Sequence, residues 1–377
     1  MRGPKAGATT GPTTDGPTTA SGTVTARAGT QRVVQLGGGR ARGPWLAVVV
    51  HPRPVLVCLV FLALAAVAAL ATLAVGELGI SLAELPGVFA GHGTRAQEWA
   101  LFTSRLPRLG VAVLAGAAFA VAGAIFQSVT RNPLGSPDVI GLGAGAAAGA
   151  AAAALVWPGF VSTPVGALLG AFLAITVVYL GTGRGFAAPH RMVVVGIAVG
   201  AMSLAFVQLA LVRASRESAQ EVALWLTGSL AARATGHVVV IGVALAVLLP
   251  AALALTRTMQ LAEMGDDLAT GVGVPVRASR TLAVVVAVLL TGAAVSVCGP
   301  IAFVALTAPQ IARRLTRSSG PGMVAAACCG AVLLVVADLV AQYALPGIIF
   351  PVGVVTAGLG GIYLAFLLVR EWKRVAV

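Results

Sequence analysis

Long apolar runs alternate along the chain with short polar breaks. Runs at 55–75, 109–127, 139–157, 163–181, 191–212, 237–256, 281–298, 301–313, 323–343 and 352–370 each read as a helix. A crossing of ~30 Å of hydrocarbon at 1.5 Å per residue takes about 20 mostly apolar residues, and most of these runs supply them. The eighth run is short for that distance. It crosses only if it follows a buried re-entrant turn at Gly299-Pro300, or continues through Ile311-Ala312-Arg313-Arg314 into the headgroups. The pattern therefore predicts an all-α polytopic membrane protein with about ten transmembrane helices. Gly141, Gly143, Gly145 and Gly149 crowd the third run, where small residues let helix backbones approach closely.

Ahead of this pattern, residues 1–44 are rich in Gly, Thr, Pro and Arg and hold few large apolar side chains. Such a segment cannot bury enough apolar surface to offset the entropy lost on ordering. It is expected to be a disordered basic tail, with the membrane domain occupying 45–377. The first apolar run also starts too far into the chain for a secretory signal.

Composition sharpens this picture. The chain of 377 residues is 58% hydrophobic and 10% charged, against roughly 25% charged in an ordinary soluble domain, which excludes a soluble globular protein. Formal charge is +13, and the position of that charge decides what it means. With the N-terminus in the cytoplasm, nineteen basic residues fall inside and six outside. That is the positive-inside bias, and it puts both termini in the cytoplasm. Nucleic acid is then not needed to explain the charge.

Candidate chemistry is sparse. The two lysines, Lys5 and Lys373, stand in no GxxxxGK[ST] context, so the chain has no phosphate-cradling loop and cannot hydrolyse ATP in the P-loop manner. Cys58, Cys298, Cys328 and Cys329 lie in or beside apolar runs, and His51, His92, His190 and His237 are scattered. Neither set has metal-ligand spacing, so no metal site and no cofactor is expected.

Four polar features stand out. Arg105-Leu-Pro-Arg108 lies at the outer entrance of the second run, where two arginines three residues apart oppose the orientation rule. They read either as snorkelling side chains or as recognition of carboxylates on an external partner. Arg131-Asn132-Pro133-Leu134-Gly-Ser-Pro137-Asp reads as a rigid, hydrogen-bonded turn. Within 260–280, Asp266 and Asp267 can open a short helix that Gly271, Gly273 and Pro275 would end. Such a helix at the cytoplasmic surface is well placed to touch a soluble subunit. Asp338 is the carboxylate inside a predicted span, where an acid marks an ion path or a helix pair.

Several stretches in order resemble the FecCD family, the permease subunits of ABC importers for iron-siderophores, haem and vitamin B12. They are RLPRLGVAVLAGAAFAVAGAIFQSVTRNPLGSPDVIGLGAGA from Arg105, WLTGSL from Trp225, MGDDLATGVGV from Met264, GPIAFVALTAPQIARRL from Gly299 and PVGVVTAGLGG from Pro351. They span about 70% of the chain. The resemblance implies a multi-pass protein of the bacterial cell membrane, with a second permease copy or paralogue, two cytoplasmic ATPase subunits and an extracytoplasmic binding protein as partners. It implies transport of an Fe(III)-siderophore, with haem or cobalamin as the alternative. A secondary transporter without an ATPase would need paired acids or histidines within spans, and Asp338 alone is offered.

Residue by residue, Arg105 and Arg108 match family positions that pair with acidic residues of the binding protein. Gln342 stands where relatives often place a further docking arginine. The segment holding Gly265, Asp266, Asp267, Ala269 and Gly273 matches the helix that couples to the ATPase. Pro189 and His190 occupy the region of a cytoplasmic gate.

Overall fold

The computed structural model describes residues 32–35, 47–50, 52–75, 80–81, 83–183, 186, 189–318, 320–345 and 349–375. It divides into two units, Met1–Pro52 and Arg53–Val377. In the first, strands β1 (Arg32–Gln35) and β2 (Ala47–Val50) pair antiparallel, Arg32 opposite Val50. β1 falls inside the stretch expected to be an unstructured tail. The rest of 1–44 lies outside the described residues.

The second unit is built of helices. They are α1 (Pro52–Ala74), α2 (Leu85–Phe89), α3 (Arg95–Glu98), α4 (Leu106–Thr130), α5 (Leu142–Ala151), α6 (Thr163–Gly181), α7 (Pro189–Arg213) and α8 (Arg216–Leu226). After them come α9 (Thr235–Ala254), α10 (Thr256–Glu263), α11 (Asp266–Gly271), α12 (Val276–Cys298), α13 (Val304–Thr316), α14 (Met323–Tyr343) and α15 (Val352–Val375). A helix stands at each of the ten positions that hydropathy marked. Among the described residues, seven helices are long and apolar enough to cross a membrane, and Leu142–Val156 and Val352–Leu367 are shorter apolar ones.

Two of the short elements have local causes. The third apolar run loses its first residues to a 3-10 turn, Pro137–Ile140, that ends at Gly141 with φ +78°. The eighth follows a non-helical stretch: Gly299 has φ +75° and Phe303 φ 70°, and α13 then runs on through Arg313 and Arg314. The break at Gly299-Pro300 and the continuation through Arg313 and Arg314 are both seen, and α13 at 13 residues is still short of a full crossing.

The core sits on α4, which packs against α9, α12, α13 and α14. Its middle, from Val111 to Val129, is almost wholly buried. Small residues permit this. A Cβ added at Gly116 would lie 2.4 Å from the Gly330 carbonyl oxygen of α14, and one added at Gly123 would lie 1.7 Å from that of Ala305 in α13. Likewise α5 meets α6 where Gly149 would place a Cβ 2.1 Å from the Gly166 oxygen. The third run's glycines thus serve backbone contact, the role expected of them. Gly123→Val is expected to force α13 off α4 and abolish recovery of monodisperse protein in fluorescence-detected size-exclusion chromatography. Recovery at the wild-type level would contradict this account of the crossing. By contrast α1, α7 and α9 leave most of their apolar surface uncovered, as suits helices facing lipid or another subunit.

Three of the sequence stretches that carry the family resemblance meet at one place. The Ser229 N–H donates to the Cys298 carbonyl (2.9 Å) and the Gly353 N–H to that of Gly228 (3.1 Å). The loop after α8 is thereby clasped between the turn ahead of α13 and the start of α15. A Cβ at Gly353 would lie 1.9 Å from the Thr227 oxygen, so only glycine fits there.

Candidate functional site

Polar side chains gather at the two ends of the bundle. At one end, Arg105 stands just ahead of α4 and Arg108 in its first turn, and α14 supplies Asp338, Gln342 and Tyr343. Arg108 Nε donates to both Asp338 carboxylate oxygens (3.2 and 3.0 Å), and its Nη2 donates to Oδ1 at 2.8 Å. Gln342 Nε2 donates to Asp338 Oδ2 at 2.8 Å. The carboxylate is only 2% exposed, and the Arg108 side chain 15%. Arg105 donates to the Leu73 carbonyl, and Tyr343 Oη donates to that of Val75 at 2.7 Å. The last turn of α1 is thus held by α4 and α14 together.

This places the three expected docking residues in one cluster, yet turned to internal work. Arg108 is bound by Asp338, Gln342 by the same carboxylate, and Arg105 by a backbone oxygen. Asp338 is half of a helix pair, with no second acid paired to it among the described residues. Sequence reasoning had both members and did not join them. The signal was depth: Arg108 opens α4 and Asp338 closes α14 at the same end.

At the opposite end the other cluster forms around Asp266. Arg131 donates to Asp266 Oδ1, and also to the Ala262 carbonyl at 2.6 Å. Arg280, from the first turns of α12, donates to Oδ1 and Oδ2 at 2.8 and 3.1 Å. Burial pushes the Asp266 carboxyl upward, but the hydrogen bond and charge of Arg280, then those of Arg131, carry it below its ordinary value. A lowered carboxylate stabilises the fold above its unfolded pKa and loses that contribution as pH falls through the folded one. The Asp266 carboxylate is therefore ionised at neutral pH.

Neighbouring contacts extend this knot. Arg131 ends α4 in a left-handed conformation, φ 50°. The Asn132 side chain accepts from the Leu134 N–H at 2.9 Å, which makes the rigid turn expected there. Leu134 is exposed, and Pro137 is buried at the start of the 3-10 turn. Gln310 of α13 donates to the Pro133 carbonyl at 2.5 Å, and Gln127 of α4 donates to that of Leu306 at 2.9 Å. Arg313 of α13 lies 3.7 Å from Glu263 of α10. Charged contacts thus tie α11 to the end of α4 and to α12, and α10 to α13.

Within the expected coupling segment the structure separates the residues. Gly265 (φ +131°) and Gly273 (φ +84°) bound α11 at positions where an L side chain would be strained. Ala269 faces inward at 1% exposure and Asp266 is held in the knot, whereas Asp267 is exposed. Sequence reasoning missed the exposed apolar side chains here: Leu268 within α11, and Met264 and Val272 flanking it, are all exposed. Of the gate residues, His190 is exposed near the start of α7, and the Pro189 side chain lies outside the described residues.

A profile of the FecCD transport family matches residues 62–370. The chain belongs to the FecCD transport family. The ferric enterobactin transport system permease protein FepG of Escherichia coli K12 is 39% identical, over 87% of this chain and 99% of that protein. The Fe(3+)-citrate import system permease protein YfmE of Bacillus subtilis 168 is 34% identical, over 85% of this chain and 97% of its own length. In three dimensions, a solved structure described as an inward-facing metal-chelate type ABC transporter superposes with a TM-score of 0.74. It is 23% identical and covers 83% of this chain and 99% of that one, a likeness of fold. This FecCD chain is thus a multi-pass membrane permease of the ABC importer type.

Proposed function

We propose that this chain is the translocation subunit of a binding-protein-dependent ABC importer that carries an Fe(III)-siderophore into the cytoplasm. Both termini and the Asp266 end lie inside. The relatives named for ferric enterobactin and Fe(3+)-citrate support the substrate class. The chain pairs with a second permease, its own copy or a paralogue, and two separate ATPase subunits supply the hydrolysis that it lacks the P-loop to perform. The observation that carries this reading is α11: a short helix with an apolar outer face, wired by Asp266 to two spans and a loop. ATP-driven approach of the ATPases would move α11, and the charged contacts would pass the motion on. Access then alternates as rigid helices shift, because each state makes different contacts.

At the outer end, the Arg105–Arg108–Gln342 cluster faces the binding protein. An acidic residue of that protein would take Arg105 from the Leu73 carbonyl, as a carboxylate suits guanidinium better than a backbone carbonyl does, while Arg108 and Gln342 stay on Asp338. Arg105→Glu leaves the Asp338 pair in place. It is expected to weaken capture of the binding protein about tenfold, the loss of one charge-assisted contact, in a pull-down from detergent. Unchanged capture would remove Arg105 from the docking surface.

A further inference from the structure

Where α6 ends and α12 begins, an open groove of about 860 Å³ lies beside α11. Its polar wall is Tyr179, Thr270, Thr281, Arg277 and Arg280, with Asp266 at its edge. Two arginines, Arg131 and Arg280, already neutralise Asp266, so the groove carries net positive charge, and Arg277 is exposed at its rim. The Tyr179 hydroxyl has no partner among the described residues.

Below these groups the lining turns apolar, with Leu282 and Val285. The rest of α12 is mostly buried, but Leu282, Val285 and Leu289 are exposed at 52%, 43% and 47%. Spaced three and four residues apart, they form one track down the helix. Cations and hydroxyls at the end of a span, above an apolar track, match the two halves of an anionic phospholipid. Guanidinium and hydroxyl groups hold phosphate oxygens, and the track takes an acyl chain.

We propose that this groove binds one anionic phospholipid, its phosphodiester at Arg277 and Tyr179 and an acyl chain along Leu282, Val285 and Leu289. The assignment rests on the reading of this end as cytoplasmic, and on no assumption about the transported substrate. A lipid seated there touches the Asp266 knot and would brace α11 against α12.

Native mass spectrometry of the full-length chain in detergent, titrated with phosphatidylglycerol or phosphatidylcholine, tests it. Phosphatidylglycerol is expected to be retained about fivefold better than phosphatidylcholine, with that preference lost in Arg277→Gln and kept in Arg277→Lys. Equal retention of both lipids, or a preference unchanged in Arg277→Gln, would overturn the site. Displacement of the lipid by millimolar inorganic phosphate would assign the groove to a free anion and also overturn it. Failure of siderophore uptake leaves the lipid titration unaffected, so the two readings fail separately.

Discussion

Asp338→Ala is expected to destabilise the permease by about 3 kcal/mol or more, seen as a fall of several degrees in its melting temperature in detergent. Surface ion pairs contribute only about 0–1 kcal/mol, but removing one partner of a buried pair strands the other, at roughly 3–5 kcal/mol. At 2% exposure of the carboxylate, the second regime applies. Arg108→Ala should cost a similar amount. The double variant Arg108→Leu with Asp338→Leu should recover most of the loss, because an apolar pair leaves no unpaired charge in the bundle. Additive losses in the double variant would contradict the pairing. The same variants bear on α1, because Arg105 and Tyr343, on the two helices that this pair joins, hold its last turn.

At the opposite end, Leu268→Glu and Asp266→Ala should fail differently. Leu268 is 64% exposed on the outer face of α11, and a buried charge in a docked interface costs a few kcal/mol, about a hundredfold in affinity. Co-purification of the ATPase should be lost, with the fold intact. Asp266→Ala leaves that outer face untouched but unties Arg131 and Arg280. The ATPase should then still co-purify, while uptake falls severalfold and hydrolysis no longer responds to the loaded binding protein. Uptake at the wild-type level in Asp266→Ala would show that the knot transmits nothing. Retention of the ATPase by Leu268→Glu would show that α11 docks elsewhere.

Much of the helix pattern was legible in the sequence, since a span must be apolar over most of its length whatever it packs against. The eighth run shows the same logic applied to an exception. Too short by count, it required either a re-entrant turn or a charged extension, and α13 has both. What sequence could not give was partnership. Arg108 and Asp338 are 230 residues apart, and no local rule joins them. Arg131, Asp266 and Arg280 were each visible as charges near span ends, but their convergence depends on how α4, α11 and α12 cross.

The face of α11 was illegible for a related reason. A short amphipathic helix between two spans has no long hydrophobic period to reveal which side is packed. Only the structure shows Ala269 inward and Met264, Leu268 and Val272 outward. The clasp of Gly228, Gly299 and Gly353 was likewise invisible, because close backbone approach leaves only scattered glycines in a sequence where Gly is abundant.

The central claim is that this permease moves its cargo only under the power of a separate ATPase. Proteoliposomes carrying the permease, with its ATPase subunits and purified binding protein, can be loaded with ATP and supplied with ⁵⁵Fe-siderophore. Uptake is predicted to require enclosed ATP, the ATPase and the binding protein together, and to be indifferent to collapse of a proton gradient. Uptake that persists without the ATPase and disappears when the proton gradient is collapsed would contradict it.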